Sequence, residues 1–191
     1  SDGTYSNCTI IVTDSDGNAS NTLAITTFIV DTAEWAQEAY VKASNSENLD
    51  EFGASVALDG DTLAVGATQE DSNQTTITNG TTSSSDNSRA RSGAVYVYKR
   101  TGTTWAQEAY VKASNNDANN DYFGSSDVEL DGDTLAVGVT AEDSNQTTIT
   151  NGTTSSSDNN NYRSGAVYVY KRTGTTWAQE AYVKASNNDA S

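Results

Sequence analysis

The sequence predicts an all-β protein built from two copies of a four-stranded antiparallel unit. The first observation is an internal repeat: Arg91–Ala118 recurs unchanged as Arg163–Ala190, and Glu70–Asn87 recurs unchanged as Glu142–Asn159. The second is that large apolar residues alternate with small or polar ones, which is the period of a β-strand. The third is that Asp-Gly and Thr-Gly pairs separate the alternating stretches, as they do in hairpins. Near-identity of the copies also indicates a recent duplication, so we expect an array longer than this chain.

Residues 1–33 lie outside the repeat and predict a β-hairpin. Two β-rich runs, Thr4–Thr13 and Thr22–Val30, are joined by the turn-rich stretch DSDGNAS. An isolated hairpin is only marginally stable in water. We therefore expect its partner strands to come from a longer chain or from another molecule.

Residues 34–51 predict an orphan outer strand and a linker. The stretch WAQEAYVKASN at Trp35–Asn45 recurs at Trp105 and Trp177, where it closes a complete unit. No first three strands precede its first copy. We therefore expect Trp35–Ala43 to add to a sheet of a neighbouring copy, or of the missing part of a longer array, because exposed strand edges recruit other strands.

The first complete unit, residues 52–115, contains four predicted strands. They are Phe52–Asp59, Asp61–Ala67, Gly93–Arg100 and Thr103–Ala113. The Asp59-Gly60 pair predicts a type I′ turn, in which both central residues have positive φ. Leu58 then pairs with Asp61.

The same hairpin is predicted to have two different faces. Val56 pairs with Leu63, and a bulky face carries Val56, Leu58, Leu63 and Val65. The opposite face carries the smaller residues Ala57, Thr62 and Ala64. A sheet that is apolar on both faces is typically covered on both.

The second complete unit, residues 116–191, repeats this plan with one insertion. Its predicted strands are Phe123–Asp131, Asp133–Val139, Gly165–Arg172 and Thr175–Ala185, with Gly132 in the turn. FGASVALDG becomes FGSSDVELDG, and the extra residue predicts a bulge. Glu129 replaces Ala57, so we expect the small-residue face of this unit to meet water or a different neighbour.

Each unit has a long polar connection between its second and third strands, EDSNQTTITNGTTSSSDN. It predicts either a solvated loop or an extended hairpin. Asn73, Asn79, Asn145 and Asn151 fit the N-glycosylation pattern, although a chain this rich in Asn, Ser and Thr contains such patterns by chance. Three carboxylates in this connection, Glu70, Asp71 and Asp86, offer the type of ligand that calcium prefers, although no pattern fixes their geometry.

Composition excludes several classes of function. The net charge of −16 disfavours nucleic acid and anionic membrane surfaces as partners. The absence of histidine removes the commonest general base, and no nucleophile–base pair is evident. We therefore predict a non-enzymatic protein without a cofactor. Cys8, the only cysteine, cannot form a disulfide within the chain, and no apolar run is long enough to cross a membrane.

The pattern FGASVALDGDTLAVGAT…SGAVYVYKRTGTTW resembles the FG-GAP repeat of integrin α subunits and of secreted bacterial repeat proteins. The resemblance covers roughly Trp35–Ala185 and implies four-stranded β-propeller blades, often seven in a ring. The acidic calcium loop of integrins is missing. Its nearest remaining candidates, Asp59, Asp61, Asp131 and Asp133, flank a turn too short to supply six to eight oxygens. Asp2–Tyr5 and Val12–Asp14 resemble the last strands of a bacterial immunoglobulin-like domain.

Two functions are compatible with these features. One is structural: a segment of an extracellular fibre or adhesin, with copies of itself or the rest of the array as partners. The other is a ligand-binding propeller segment that recognises a protein or glycan through its loops. Binding loops should differ between blades, whereas the longest loops here are copied almost unchanged, which favours the structural hypothesis. Both place the protein outside the cell or on its surface.

Overall fold

The computed structural model describes residues 3–5, 8–19, 23–25, 28–30, 36–116 and 120–187. All helix or strand structure in these residues is β-strand, which confirms the all-β prediction. The chain divides into two compact units, residues 1–38 and residues 39–191.

The N-terminal unit is a β-hairpin, as predicted. Its strands are β1 (Gly3–Tyr5), β2 (Cys8–Ile10), β3 (Leu23–Ile25) and β4 (Phe28–Val30). β1 pairs with β4 and β2 with β3, both antiparallel. The carboxylate of Asp14 closes the turn by accepting the backbone N–H groups of Asp16 and Asn18 at 3.0 and 2.9 Å. The bond from Asn18 is the main reason that the pKa of Asp14 is lowered. The immunoglobulin-like resemblance stays a prediction.

The C-terminal unit contains two five-stranded antiparallel sheets, which we call blade 1 and blade 2. Blade 1 consists of β5 (Phe52–Asp59), β6 (Thr62–Ala67), β7 (Thr78–Asn79), β8 (Ala94–Thr101) and β9 (Thr104–Val111), in the order β5-β6-β8-β9-β7. Blade 2 repeats it with β10 (Val128–Asp131), β11 (Thr134–Val139), β12 (Thr150–Asn151), β13 (Ala166–Thr173) and β14 (Thr176–Val183). Its order is β10-β11-β13-β14-β12.

The fifth strand of each blade was not predicted. The long polar connection crosses the sheet and adds β7 to the free edge of β9, with Thr78 opposite Tyr110. β12 pairs with β14 in the same way. This part of the connection is therefore neither a free loop nor an extended hairpin of β6 and β8. It covers an outer edge that would otherwise expose unpaired backbone groups.

The first turn of blade 1 differs from the predicted type I′ turn. Asp59 pairs with Thr62 and Leu58 with Leu63, so Gly60 and Asp61 are the central residues. Gly60 has a φ of 54° and Asp61 has no positive φ, which is the pattern of a type II′ turn. The predicted pairing of Leu58 with Asp61 is wrong by two residues. An even shift leaves every side chain on its predicted face.

The insertion in blade 2 shortens a strand instead of forming the predicted bulge. β10 begins at Val128 and not at Phe123, and the backbone carbonyl of Asp127 accepts the N–H of Gly138 at 2.9 Å. Phe123, released from its own sheet, forms a parallel bridge with Gly93 of blade 1. Glu129 is exposed, in agreement with its predicted contact with water. Register shifts occur elsewhere, between Val97 and Tyr98 and at the same place in β13.

The predicted outer strand at Trp35–Ala43 is not formed in the described part of this stretch, residues 36–43. Instead, its C-terminal end lies on the bulky face of blade 1, where Ala43 is buried. We call this the aromatic face, because Tyr96 and Tyr98 lie on it beside Leu63 and Val65. Val41 packs in the same cluster with Val65, Tyr96 and Tyr98. A strand needs a sheet partner for its backbone, and this segment contacts a face and not an edge.

Candidate functional site: the interface between the blades

The two blades join through faces of opposite character. Blade 1 contributes its small-residue face, and blade 2 contributes its aromatic face. These side chains form one buried cluster that includes Ala64, Val95, Val97, Ala109 and Val111 of blade 1 and Phe123, Tyr168, Tyr170, Trp177 and Tyr182 of blade 2. Each of these ten residues is at most 1% exposed. The two-faced sheet predicted from the sequence is therefore what allows blades to stack.

The backbone of Phe123-Gly124 fits directly against two glycines of blade 1. A Cβ atom on Gly93 would lie 2.2 Å from the carbonyl oxygen of Phe123, and one on Gly66 would lie 2.3 Å from that of Gly124. The hydroxyl of Ser55 donates to the same Gly124 oxygen at 2.7 Å. Any side chain at either glycine would force the blades apart, so the glycines of the SGA and VGA motifs set the spacing of the blades.

Aromatic contacts hold Phe123 in place on its own blade. Its ring packs edge-on against Tyr168 and Tyr170, with centroids 5.5 and 6.2 Å apart. The Tyr168 hydroxyl donates to the side chain of Asn115, and that of Tyr170 donates to the backbone carbonyl of Lys112 at 3.3 Å. Burial raises the pKa of both tyrosines well above its ordinary value. These contacts hold both ends of the segment that connects the two blades, from Lys112 to Phe123, against the aromatic face of blade 2.

Polar contacts close the rim of the interface around Trp177. Its indole N–H donates to the carboxylate of Glu108 at 2.9 Å, and Arg172 reaches the same oxygen at 3.3 Å. The side-chain amide of Asn79 both accepts from the backbone N–H of Trp177, at 2.8 Å, and donates to its carbonyl, at 3.2 Å. These contacts fix the register of one blade on the next.

A buried ion pair in each blade was missed by the sequence analysis. The ammonium group of Lys112 lies 2.8 Å from the Glu70 carboxylate and donates to the hydroxyl of Ser92 at 2.7 Å. Neither charged side chain is more than 1% exposed. Burial lowers the pKa of Lys112, while Glu70 opposes the shift. Lys112 also donates to Ser92, and Glu70 also accepts the backbone N–H of Ser72. The pair therefore joins the polar connection to the end of β9.

Blade 2 contains the same ion pair, and neither of its charged side chains is more than 2% exposed. Lys184 lies 2.6 Å from Glu142 and donates to Ser164 at 2.7 Å. The only sequence signal is that Glu and Lys recur at fixed places in both copies, which the repeat alone also explains. The pair uses Glu70 for an internal contact, so this residue is not free to serve as the conceivable calcium ligand.

Three of the four calcium candidates bind other groups of the protein. Asp61 and Asp133 each accept from an arginine, Arg100 and Arg172, at 2.7 Å. Asp59 accepts the backbone N–H of Gly132 at 2.7 Å across the interface. The structure does not bring Asp131 into such a contact. Among the described residues no cluster of three or more His, Cys, Asp or Glu side chains could hold a metal ion.

The structure separates the four glycosylation candidates into two groups. All four are exposed residues, and the glycosylation of Asn73, Asn145 and Asn151 stays a prediction, whereas Asn79 has a further contact. Asn79 uses its side-chain amide in both directions against Trp177. A sugar on that nitrogen would compete with a contact between the blades.

The segment before blade 1 makes the same hydrogen bonds to blade 1 that the connecting segment makes to blade 2. The Tyr98 hydroxyl donates to the carbonyl of Lys42 at 2.9 Å, as Tyr170 does to Lys112. Tyr96 donates to Asn45, as Tyr168 does to Asn115. Asn45 also donates to the Ser84 carbonyl at 2.7 Å. We call residues 39–45 the cap, because they cover part of the aromatic face of blade 1.

Comparison with known proteins agrees with this architecture. The model of the FG-GAP repeat matches residues 35–98, from the cap to the middle of β8. This segment is similar to an FG-GAP repeat. Blade 2 has nearly the same sequence, and the two sheets together have the form of β-propeller blades. FG-GAP repeats are typical of adhesion-type β-propeller modules in extracellular and surface proteins. No curated protein and no solved structure matches the chain significantly.

The structure contains no membrane-spanning helix within its described residues.

Proposed function

We propose that this chain is a structural segment of a surface fibre or adhesin built from stacked FG-GAP blades. The observation that carries the proposal is the complementarity of the two faces of one repeated unit. The small-residue face of one blade receives the aromatic face of the next, and near-identical sequences supply both faces. A head-to-tail contact of this kind does not close on itself, because each added unit exposes a new face for the next unit.

The copied loops also support a structural role. The polar connections have the same sequence over Glu70–Asn87 and Glu142–Asn159. Gln74 and Gln146 make the same hydrogen bonds to the threonines that follow them. A module that recognised a protein or glycan through these loops would be expected to vary them from blade to blade.

Concentration-dependent association tests this proposal. We expect light scattering on the purified chain to show a molar mass that rises through the micromolar range, and negative-stain microscopy to show chains of particles. A compact monomer at all concentrations would contradict the assembly role. A defined ring would instead support a closed propeller.

A further inference from the structure

We propose that the uncovered face of blade 2 is a docking surface for blade 1 of a second copy of this chain, and that the cap competes for the same place. The inference rests on the proposed assembly function and identifies the surfaces involved. Its basis is that most side chains of the internal interface have an identical or similar counterpart on one of two surfaces that no blade covers in the described part of the chain; the exception is Ala57, whose counterpart is the exposed Glu129. We call these the tail face, on blade 2, and the head face, on blade 1.

The tail face contains an open cleft. The equivalent cleft on blade 1 is filled by blade 2. Gly138 and Gly165 are the counterparts of Gly66 and Gly93. A Cβ atom on Gly138 would have no neighbour closer than 3.8 Å, and one on Gly165 none closer than 3.6 Å. These glycines line a cavity of about 390 Å³ with Ser126, Lys184 and others. In blade 1, the backbone of Phe123-Gly124 fills the equivalent space.

The head face presents the group that fits such a cleft. Phe52 packs edge-on against Tyr96 and Tyr98 at 5.5 and 6.3 Å, as Phe123 packs against its own two tyrosines. Gly53 has a φ of 100° and Gly124 one of 81°. The same left-handed backbone precedes both: φ is 55° at Glu51 and 54° at Tyr122, its counterpart. The Phe-Gly segment of blade 1 therefore has the local backbone of the docked segment, and it differs in that Phe52 is still paired with Ala67 of its own sheet.

Apolar exposure marks the same two surfaces. Val56 is 59% exposed and Leu58 is 64% exposed, whereas Val128, the counterpart of Val56, is only 4% exposed. Ile149 is 58% exposed on the tail face, whereas its counterpart Ile77 packs against the core between the blades. The counterparts of these exposed apolar side chains are buried or partly buried where a neighbouring blade is present.

The polar rim is duplicated as well. Glu180 and Asn151 are exposed counterparts of Glu108 and Asn79, which hold Trp177. Trp105, the counterpart of Trp177, is only partly buried on the head face, with Arg100 stacked 5.5 Å from its ring centre. Opposite charges therefore face each other when the tail of one copy meets the head of another.

The cap occupies part of the surface that a docked copy would bind. Residues 39–45 occupy on blade 1 the place that residues 109–115 occupy on blade 2. Residues 181–187 have the same sequence as residues 39–45. In a docked pair, residues 181–187 of the first copy would therefore lie where the cap lies on blade 1 of the second copy. The incoming copy must release its cap, and Asn45 then gives up its bonds to Ser84 and to Glu70, the latter at 3.2 Å. The cap therefore weakens assembly without changing the surfaces.

The test measures the association of three variants of the full chain and one control variant by sedimentation or light scattering. Gly138→Val places a side chain in the open cleft and should weaken association by about tenfold or more, with an unchanged melting temperature. Val56→Ser should weaken it from the head side. Asn45→Ala should strengthen association by about tenfold, because it loosens the competing cap. Ile11→Ser, an exposed apolar residue of the N-terminal hairpin, is the matched control and should change nothing.

The outcomes separate this inference from the proposed function. Association that is insensitive to Gly138→Val and Val56→Ser would overturn the docking surface while leaving an assembly role intact. A chain that stays monomeric even as the Asn45→Ala variant would overturn both. Weaker association of the Asn45→Ala variant would show that the cap promotes assembly, which would overturn its competing role.

Discussion

At the scale of single residues, glycine has two different tasks in this fold. Gly60 allows a tight turn, since its φ of 54° is in the left-handed region and a Cβ there would meet no atom within 4 Å. Gly66 has an ordinary backbone and is required because the neighbouring blade comes so close. Both blades have a glycine at this position, in VGA and VGV, but only in blade 1 does a neighbouring blade lie against it.

Replacing Gly66 with alanine should destabilise the protein by about 1–3 kcal/mol, the usual cost of overpacking. The new methyl group would collide with the backbone of Gly124 and with the hydroxyl of Ser55. Gly138→Ala is the matched control and should be close to neutral, because its nearest contact is 3.8 Å away. Urea unfolding of the two variants measures the difference. Equal losses would mean that the glycine serves the strand itself and not the blade spacing.

At the scale of elements, the buried ion pair fastens the long connection to the sheet. Glu70 directly follows β6 and its turn, and Lys112 directly follows β9. Their contact at 2.8 Å therefore joins the start of the connection to the end of β9. Removing one member leaves an uncompensated charge in a site without water access, whereas removing both does not.

Lys112→Met should cost about 3–5 kcal/mol in the free energy of unfolding, because Glu70 then remains buried without its partner. The double variant with Glu70→Gln should cost clearly less than the two single changes added together. Asp61→Asn, which removes the more exposed pair with Arg100, is the control and should cost about 1 kcal/mol or less. Additive losses in the cycle would show that the two charges do not stabilise each other.

At the scale of the whole molecule, buried tyrosines dominate both aromatic faces. Tyr96, Tyr110, Tyr168 and Tyr170 are at most 1% exposed. Burial raises the pKa of each above the ordinary value of 10.0. The folded protein therefore keeps protons that the unfolded chain releases near pH 10.

This difference predicts alkaline unfolding. A raised pKa in the folded state gives stability that is fully present below about pH 10 and is lost as the pH rises further. We expect the ultraviolet absorbance of tyrosinate to increase cooperatively, together with the loss of the circular dichroism signal. Complete ionisation of the tyrosines in a protein that keeps its β-sheet signal would contradict the burial of these side chains.

Much of the blade could be predicted from local sequence. The alternation in GAVYVYKR predicts a strand with valines on one face and tyrosines on the other, and the structure confirms it with Val97 buried towards blade 2 and Tyr96 in the opposite cluster. The register of the first hairpin was wrong, because an Asp-Gly-Asp sequence can place either Asp59 or Asp61 in the turn. The choice changes which residues pair but not which face they occupy.

The chain by itself determined the repeat, the strands and the two-faced sheet, because period, turn residues and side-chain volume are local properties. Only the tertiary structure decided the rest. The polar connection has few apolar residues to indicate its course, and its addition to β9 depends on an edge far away in sequence. Asn79 and Asn151 have the same local sequence, and Gly66 and Gly138 have nearly the same, but their surroundings differ. What distinguishes them is the neighbour that packs against them, and a neighbour is a property of the folded molecule.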